Sequence, residues 1–248
     1  MGMPDQKALV TGGSRGIGRA IAMGLSAKGY DVTIMGRSGE TLAKAVKDGV
    51  ARNSRAVDVT DEAALSAAIA ETGPYHIVVN NAGAAESAPF AATKLDLLRR
   101  MMAVNVESAF TASRAALPGM MAQPSGRIVN IASIAGLKGY AYVSAYCAAK
   151  HALIGLTRAL AAELIKTKIT VNAICPGYTD TDLIARAADR IAEKTGLSSD
   201  KAIDHFASTN PSGRLITPEE VANAVLWLCS DGASAVTGQA ITVAGGEL

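Results

Sequence analysis

Short runs of β-branched and other apolar residues alternate along the chain with longer stretches in which apolar residues recur every three or four positions. The first pattern suits strands buried on both faces, and the second suits helices with one packed face. Ala8–Thr11 reads as a first strand, with a helix over Gly16–Lys28 after it. Asp31–Met35 (DVTIM) is a second strand, followed by a helix from about Gly39 to Asp48. Arg55–Val59 is a third, short strand, and Asp61–Glu71 is helical. His76–Asn80 (HIVVN) is a fourth strand, and the spacing beyond it predicts one long helix from about Lys94 to Pro118. Arg127–Ala132 (RIVNIA), a helix over Ser144–Ile165, and Thr170–Ile174 (TVNAI) continue the alternation. After Pro176-Gly177 the pattern weakens into a polar, alanine-rich stretch reaching about Gly213, with helices expected near Leu183–Lys194 and Asp200–Ser208. Pro218–Cys229 is a helix whose first turn carries Glu219 and Glu220, which suits the positive end of its dipole. Ala240–Val243 is a last strand.

Strict alternation of strand and helix implies βαβ units, right-handed crossovers and a mostly parallel sheet covered on both faces. The expectation is a single-domain, Rossmann-like doubly wound α/β fold over residues 1–248, with a seven-stranded sheet. Ligands in such sheets bind beyond the carboxyl ends of the strands, so the residues just after each strand are where chemistry is expected.

Composition narrows the function classes. A chain of 248 residues buries enough core to need no disulfide or metal staple. The formal net charge is +2 with no basic run, which gives nucleic-acid binding little electrostatic support. Cys147, Cys175 and Cys229 are odd in number and widely spaced, suggesting neither a disulfide framework nor a zinc cluster, and so a reducing, cytoplasmic compartment. His76 and His205 lack metal-ligand spacing, and no metal site is inferred. The segment from Met1 to Lys7 lacks the shape of a signal peptide, and no apolar run approaches the roughly 20 residues of a membrane span.

The first strand runs into Thr11-Gly12-Gly13-Ser14-Arg15-Gly16-Ile17-Gly18, which opens a helix. Glycines let a pyrophosphate approach the backbone, and the helix start supplies free N–H groups and a positive dipole end. The spacing is G-x-x-x-G-x-G, whereas the common dinucleotide fingerprint is G-x-G-x-x-G. Residue chemistry alone therefore reaches only a dinucleotide-like phosphate loop.

That spacing does match a different pattern. TGGSRGIG at 11–18, NNAG at 80–83, Asn105, Ser133, Tyr146-Cys147-Ala148-Ala149-Lys150, and Pro176-Gly177 with Thr181 occur together and in order. Together they resemble the short-chain dehydrogenase/reductase family across essentially the whole chain, and its bacterial carbonyl and 3-oxoacyl-thioester reductases in particular. The resemblance implies Tyr146 as proton donor and acceptor at a carbonyl or alcohol carbon, and Ser133 as a hydrogen-bonding partner of the substrate oxygen. It implies that Lys150 holds the nicotinamide ribose, and that Asn105 holds a water in a proton relay. Tyr146 and Lys150 are four residues apart, so on a helix they share a face, and the ammonium should lower the tyrosine pKa. The same resemblance puts Gly12, Ser14, Arg15, Gly16, Ile17 and Gly18 at the cofactor phosphates, and Asp58 and Val59, ending the third strand, at the adenine. Asn81, Ala82 and Gly83 fall on the adenine-ribose side, and Pro176, Gly177, Thr179 and Thr181 at the carboxamide.

An NAD-preferring site usually places an acid at the end of the second strand. Gly36 stands there, followed by Arg37, while Arg15 lies in the phosphate loop. Two guanidinium groups suit a 2′-phosphate, so NADP(H) is the expected cofactor; NAD(H) stays open if both arginines are surface charges. Residues 180–213 would form a substrate lid. Ala84, Glu86, Ala135, Tyr140, Tyr142 and Tyr178 are candidate pocket walls for a small carbonyl or alcohol substrate. By analogy with the family, the small-residue helices from Lys94 and Ser144 and the C-terminal strand would build a homotetramer. Two other readings remain at this point: an NAD-dependent alcohol or hydroxy-acid dehydrogenase, and a non-catalytic dinucleotide sensor, which leaves the full proton-transfer set unexplained.

Overall fold

The computed structural model describes residues 6–196 and 198–247. Residues 1–5, on which the reading of the N-terminus partly rests, lie outside them. One sheet organises the molecule, with strands β1 (Lys7–Thr11), β2 (Asp31–Gly36), β3 (Asn53–Ala56), β4 (Ile77–Asn80), β5 (Gly126–Ile131), β6 (Ile169–Pro176) and β7 (Ala240–Val243). Their spatial order is β3-β2-β1-β4-β5-β6-β7, and every pairing is parallel. The chain reverses direction across the sheet between β1 and β4, which opens a crevice at their carboxyl ends.

Successive strand residues face opposite layers, which accounts for the continuous apolar runs. Ala8, Val10, Val32, Ile34, Val79 and Val129 pack with Ile21 and Leu25 of α1 (Gly16–Ala27), Leu42 of α2 (Gly39–Lys47) and Val221, Val225 and Leu228 of the helix Pro218–Leu228. Leu9, Met35, Val78, Ile128 and Val171 face the other way, onto Leu65 and Ile69 of α3 (Glu62–Thr72) and onto the helices between β4 and β6.

The expected long helix after β4 is three pieces. α4 (Leu95–Met102) runs into a π-helical turn at Ala103–Glu107, and α5 (Ser108–Met121) continues past Pro118. The physical reason is Asn105. Its Nδ2 donates to Met101 O at 3.0 Å, a side-chain bond that competes with the backbone ladder and accompanies the widened turn. The third strand is also displaced. It spans Asn53–Ala56, so Asp58 and Val59 follow it and do not end it. Asp58 Oδ1 accepts from Thr60 N at 3.0 Å and from the Thr60 hydroxyl at 2.8 Å, a local turn that pulls the chain out of the strand.

α6 (Ser144–Glu163) crosses the sheet between β5 and β6. The alanine-rich stretch contains α7 (Asp182–Thr195) and α8 (Ser199–Thr209). α9 (Pro218–Leu228) starts with a capping box: Thr217 accepts from Glu220 N at 3.2 Å, and the Glu220 carboxylate accepts from Thr217 N at 2.8 Å. Among the described residues, no helix is long and apolar enough to cross a membrane.

Candidate active site

The crevice is built from strand ends. Thr11 closes β1, and its hydroxyl accepts from Asn81 N and Ala82 N, each at 3.0 Å. Asn81 Nδ2 returns the contact to Thr11 O at 2.9 Å and Gly12 O at 3.2 Å. These four bonds stitch the glycine loop to the segment after β4. Gly12 sits at φ 66, a conformation that favours glycine. A Cβ at Gly18 would collide with Gly12 O and Asn81 Nδ2, so only a bare backbone fits.

The start of α1 is shaped for an anion. Arg15, its N-cap, is extended and gives no side-chain cap to the first-turn N–H groups. Ser14 is half-buried in the loop, and Ile17 anchors it by packing on the core. Gly16 faces the Thr181 methyl, which a Cβ there would meet at 3.3 Å, so the segment after β6 closes over the loop. A Cβ at Gly36 would meet only Leu42 Cδ2, at 3.9 Å, leaving the end of β2 open. Arg37 is exposed beside it and its charge reaches Asp58. Hydrogen bonds from Thr60, and secondarily Arg37, hold the Asp58 carboxyl below its usual range. Arg15 is also exposed and stands 4.0 Å from Asp182 at the start of α7, a loose surface contact. Val59 is buried. An uncapped helix start, a cradle without side chains and two exposed guanidinium groups fit a dinucleotide with an additional phosphate.

Tyr146, Lys150, Ser133 and Asn105 come together at the carboxyl ends of β4 and β5. Tyr146 and Lys150 sit one turn apart on α6, with Lys150 Nζ 5.6 Å from the centre of the Tyr146 ring. Lys150 is 4% exposed and its ammonium donates to Ile131 O at 2.8 Å. Ser133 lies two residues past β5, where its hydroxyl accepts from Ala135 N at 3.1 Å and is near enough to the Tyr146 phenol to lower its pKa. The tyrosine pKa departs from expectation. Burial pushes it up to about 12, and Ser133 only partly opposes this. Burial also pulls Lys150 down to about 8, so desolvation dominates both groups in the protein alone.

Asn105 is 2% exposed, and its side chain is committed to protein. Besides Met101 O, Nδ2 donates to Ala84 O at 3.0 Å, and Oδ1 accepts from Ala84 N at 3.4 Å. A Cβ at Gly83 would stand 2.8 Å from Asn105 Oδ1 and 3.6 Å from Lys150 Nζ. The absent side chain of this exposed glycine therefore keeps a gap between the two groups.

On the other side, β6 ends at Pro176 and leads through Gly177 into Tyr178, Thr179 and Thr181. Thr179 is buried, and the hydroxyls of Thr179 and Thr181 donate back to Gly177 O and Thr179 O, at 3.0 and 3.2 Å. The Tyr178 ring is tilted on Phe206 of α8 with centroids 5.0 Å apart. Tyr140 is half-buried and hydrogen-bonded to Glu247. Ala135 is buried, Glu86 is ion-paired with Arg100 at 3.2 Å, and Tyr142 is exposed at φ 66.

Sequence reasoning missed Thr11, Asn210 and Glu247. Thr11 had a usable signal, a hydroxyl at the end of β1 just before the glycines. Asn210 is fully buried and clamps Tyr178 by accepting from its N–H at 3.2 Å and donating to its carbonyl at 3.0 Å. Neither Asn210 nor Glu247 stands in any motif that would have marked it.

A family model described as enoyl-(acyl carrier protein) reductase matches residues 12–247. The chain belongs to the short-chain dehydrogenase/reductase family. It is an oxidoreductase of that family. It is 38% identical to a 3-oxoacyl-(acyl-carrier-protein) reductase of Aquifex aeolicus, over 96% of this chain and 96% of that one. It is 36% identical to a D-beta-hydroxybutyrate dehydrogenase of Cupriavidus necator, again over 96% of each chain. A solved variant of the actinorhodin polyketide ketoreductase, with NADPH, shares the fold at a TM-score of 0.91 and 35% identity, over 99% of this chain and 98% of that one. This member of the family carries the glycine loop, the post-β4 segment and the serine, tyrosine and lysine in one crevice.

Proposed function

We propose that this family member is an NADP(H)-dependent reductase that interconverts a carbonyl and a secondary alcohol, of the 3-oxoacyl-thioester or small-ketone type. One observation carries the reading. Tyr146 is backed by the buried Lys150, which lies at Gly83, in the same segment that Asn81 ties to the glycine loop. The named relatives support it, since reductases of 3-oxoacyl groups and a ketoreductase with NADPH are among them.

NADPH, when bound, supplies the hydride. The chain's residues handle the oxygen and its proton. The Ser133 hydroxyl fixes the carbonyl oxygen and stabilises charge developing on it. Tyr146 then donates its proton to that oxygen. Its elevated pKa keeps the phenol protonated across neutral pH, as a general acid requires. Lys150, held by Ile131 O, is placed to stabilise tyrosinate once the proton has left. The gap at Gly83, between Lys150 Nζ and Asn105 Oδ1, is the route by which solvent replaces it. Asn105 acts by shaping the π-helical turn and by holding Ala84. Gly12–Gly18 and Arg37 would hold the phosphates, Asp58 and Val59 the adenine, Asn81–Gly83 its ribose, and Pro176–Thr181 the carboxamide. Residues 180–213 close over the substrate as a lid, with Phe206 on Tyr178 as their contact.

Assembly and location are part of the same reading: a cytoplasmic homotetramer with the carbonyl compound as its small-molecule partner. Phe110, half-exposed on α5, and Leu156 of α6 line an open surface hollow that a second copy would cover.

The test is Tyr146→Phe, assayed by NADPH oxidation with ketones, 3-oxoacyl thioesters and, to separate carbon–carbon double-bond reduction, enoyl thioesters. Turnover of the carbonyl substrates should fall about 10²–10⁴-fold while NADPH binding persists. Wild-type turnover in this variant, or activity confined to enoyl thioesters, would sink the proposal.

A further inference from the structure

The C-terminal tail brings an acid to the substrate side of the crevice. Beyond β7, Gly245 and Gly246, at φ 61 and 92, turn the chain against Ser212 and Pro211 at the end of the lid segment. The turn delivers Glu247 into the protein, 7% exposed. Its two oxygens differ. Oε1 accepts from the Tyr140 hydroxyl and has Lys138 Nζ at 2.8 Å. Oε2 is buried and, among the described residues, has no donor. A buried carboxylate oxygen without a donor leaves its desolvation uncompensated, so this placement calls for a ligand that donates.

The tail lies against the segment after β6: Gly177 N donates to Val243 O at 3.0 Å, and a Cβ at Gly177 would stand 3.1 Å from Ala244. The pKa of Tyr178, next in the chain, is raised by burial and by the charge of Glu247. Lys138 already balances the charge of Glu247, and its ammonium lies 5.1 Å from the centre of the Tyr140 ring. What Oε2 lacks is therefore a neutral donor. A carboxylate, phosphate or lone carbonyl placed there would oppose one acceptor with another.

We propose that Glu247, oriented by Lys138 and Tyr140, is a specificity-determining residue whose Oε2 accepts a hydrogen bond from a hydroxyl group of the substrate. The favoured substrates are then hydroxy ketones and the diols they yield. This rests on the carbonyl-reductase reading and names its substrate class. Oε2 is buried in the protein alone, so the end of the lid segment, where Ser212 packs on Gly245, must shift when substrate binds.

The test is calorimetric titration of the NADPH-loaded protein with a vicinal diol and with its mono-O-methyl ether. An alcohol cannot react with the reduced cofactor, so binding is read without turnover. Wild type should bind the diol about five- to tenfold more tightly, the worth of one hydrogen bond. In Glu247→Gln, Tyr140 and Lys138 keep the amide oxygen at the Oε1 position. The amide nitrogen then replaces the acceptor, and the preference should vanish or invert with NADPH binding unchanged. Lys138→Met keeps the acceptor but removes its balancing charge. It should keep the diol preference and add one for an amino alcohol.

Equal binding of diol and ether by wild type overturns the inference, as does the same ratio in wild type and Glu247→Gln. If Glu247→Gln leaves the ratio intact and lowers the molecular mass in solution, the missing donor belongs to a second copy, and the inference fails. Loss of the carbonyl-reductase reading is seen separately, as absence of ketone turnover in wild type, while the binding ratio still reports on Glu247.

Discussion

The two sides of the crevice are made in different ways. The cofactor side, from β1 to β4, is backbone: glycines at 12 and 18, an uncapped helix start, and the Thr11 and Asn81 bonds to neighbouring main chain. Its parts lie close in sequence or at adjacent strand ends. The substrate side is made of side chains from distant segments. Tyr178 meets Phe206 and Tyr140 meets Glu247 there, and the Tyr140–Glu247 bond alone spans 107 positions. A backbone cradle tolerates no added atom, whereas a side-chain wall can change its chemistry and keep its shape. Conservative substitutions should therefore be severe on the first side and tunable on the second.

The strongest way to break that contrast is Gly18→Ala. Its methyl group would run into Gly12 O and Asn81 Nδ2, and backbone cannot yield cheaply. NADPH affinity by nicotinamide fluorescence should weaken by about 10²-fold or more, the equivalent of roughly 3 kcal/mol. Near-wild-type binding would mean that the loop is looser than its contacts imply.

Arg37→Ala asks whether side chains also matter on the cofactor side. It should weaken NADPH by about tenfold while leaving NADH nearly unchanged, since one charge-assisted contact to a 2′-phosphate is removed. An equal effect on both cofactors, or none, would make Arg37 a surface charge and favour the NAD(H) alternative. Phe206→Ala, on the substrate side, should have the smallest effect. Losing its contact with Tyr178 should raise KM about two- to tenfold, within the worth of an aromatic pair, with NADPH affinity intact. A change in cofactor affinity of the same size would show that the two sides are not separable.

The sequence was most legible where periodicity and local chemistry act alone. Buried parallel strands need apolar residues on both faces, so β1, β2, β4, β5 and β6 stood out; β7, an edge strand with no fully buried residue, was marked by its β-branched run Ile241-Thr242-Val243. The glycine loop and the Tyr146–Lys150 spacing were readable because each is a short-range arrangement. The exceptions have particular causes. β3, the other edge strand, has every side chain exposed and no β-branched residue in Asn53–Ala56, so nothing there marked it. The helix after β4 kept its apolar spacing through the π-helical turn, because a single side-chain bond from Asn105 changes the ladder without changing the packed face.

The chain's own pattern thus determined the doubly wound sheet, the direction of its strands and the edge on which chemistry would lie. Tertiary structure decided what those residues feel. Tyr146 is raised and Lys150 lowered because both are taken from water, a property of surroundings that spacing does not encode. It also decided that Asn210 would hold Tyr178, and that the tail would carry Glu247 to Lys138 and Tyr140. Such contacts join segments through the folded whole. Local propensity is a property of neighbouring residues in the chain, whereas burial and long-range pairing exist only once the sheet has brought its ends together.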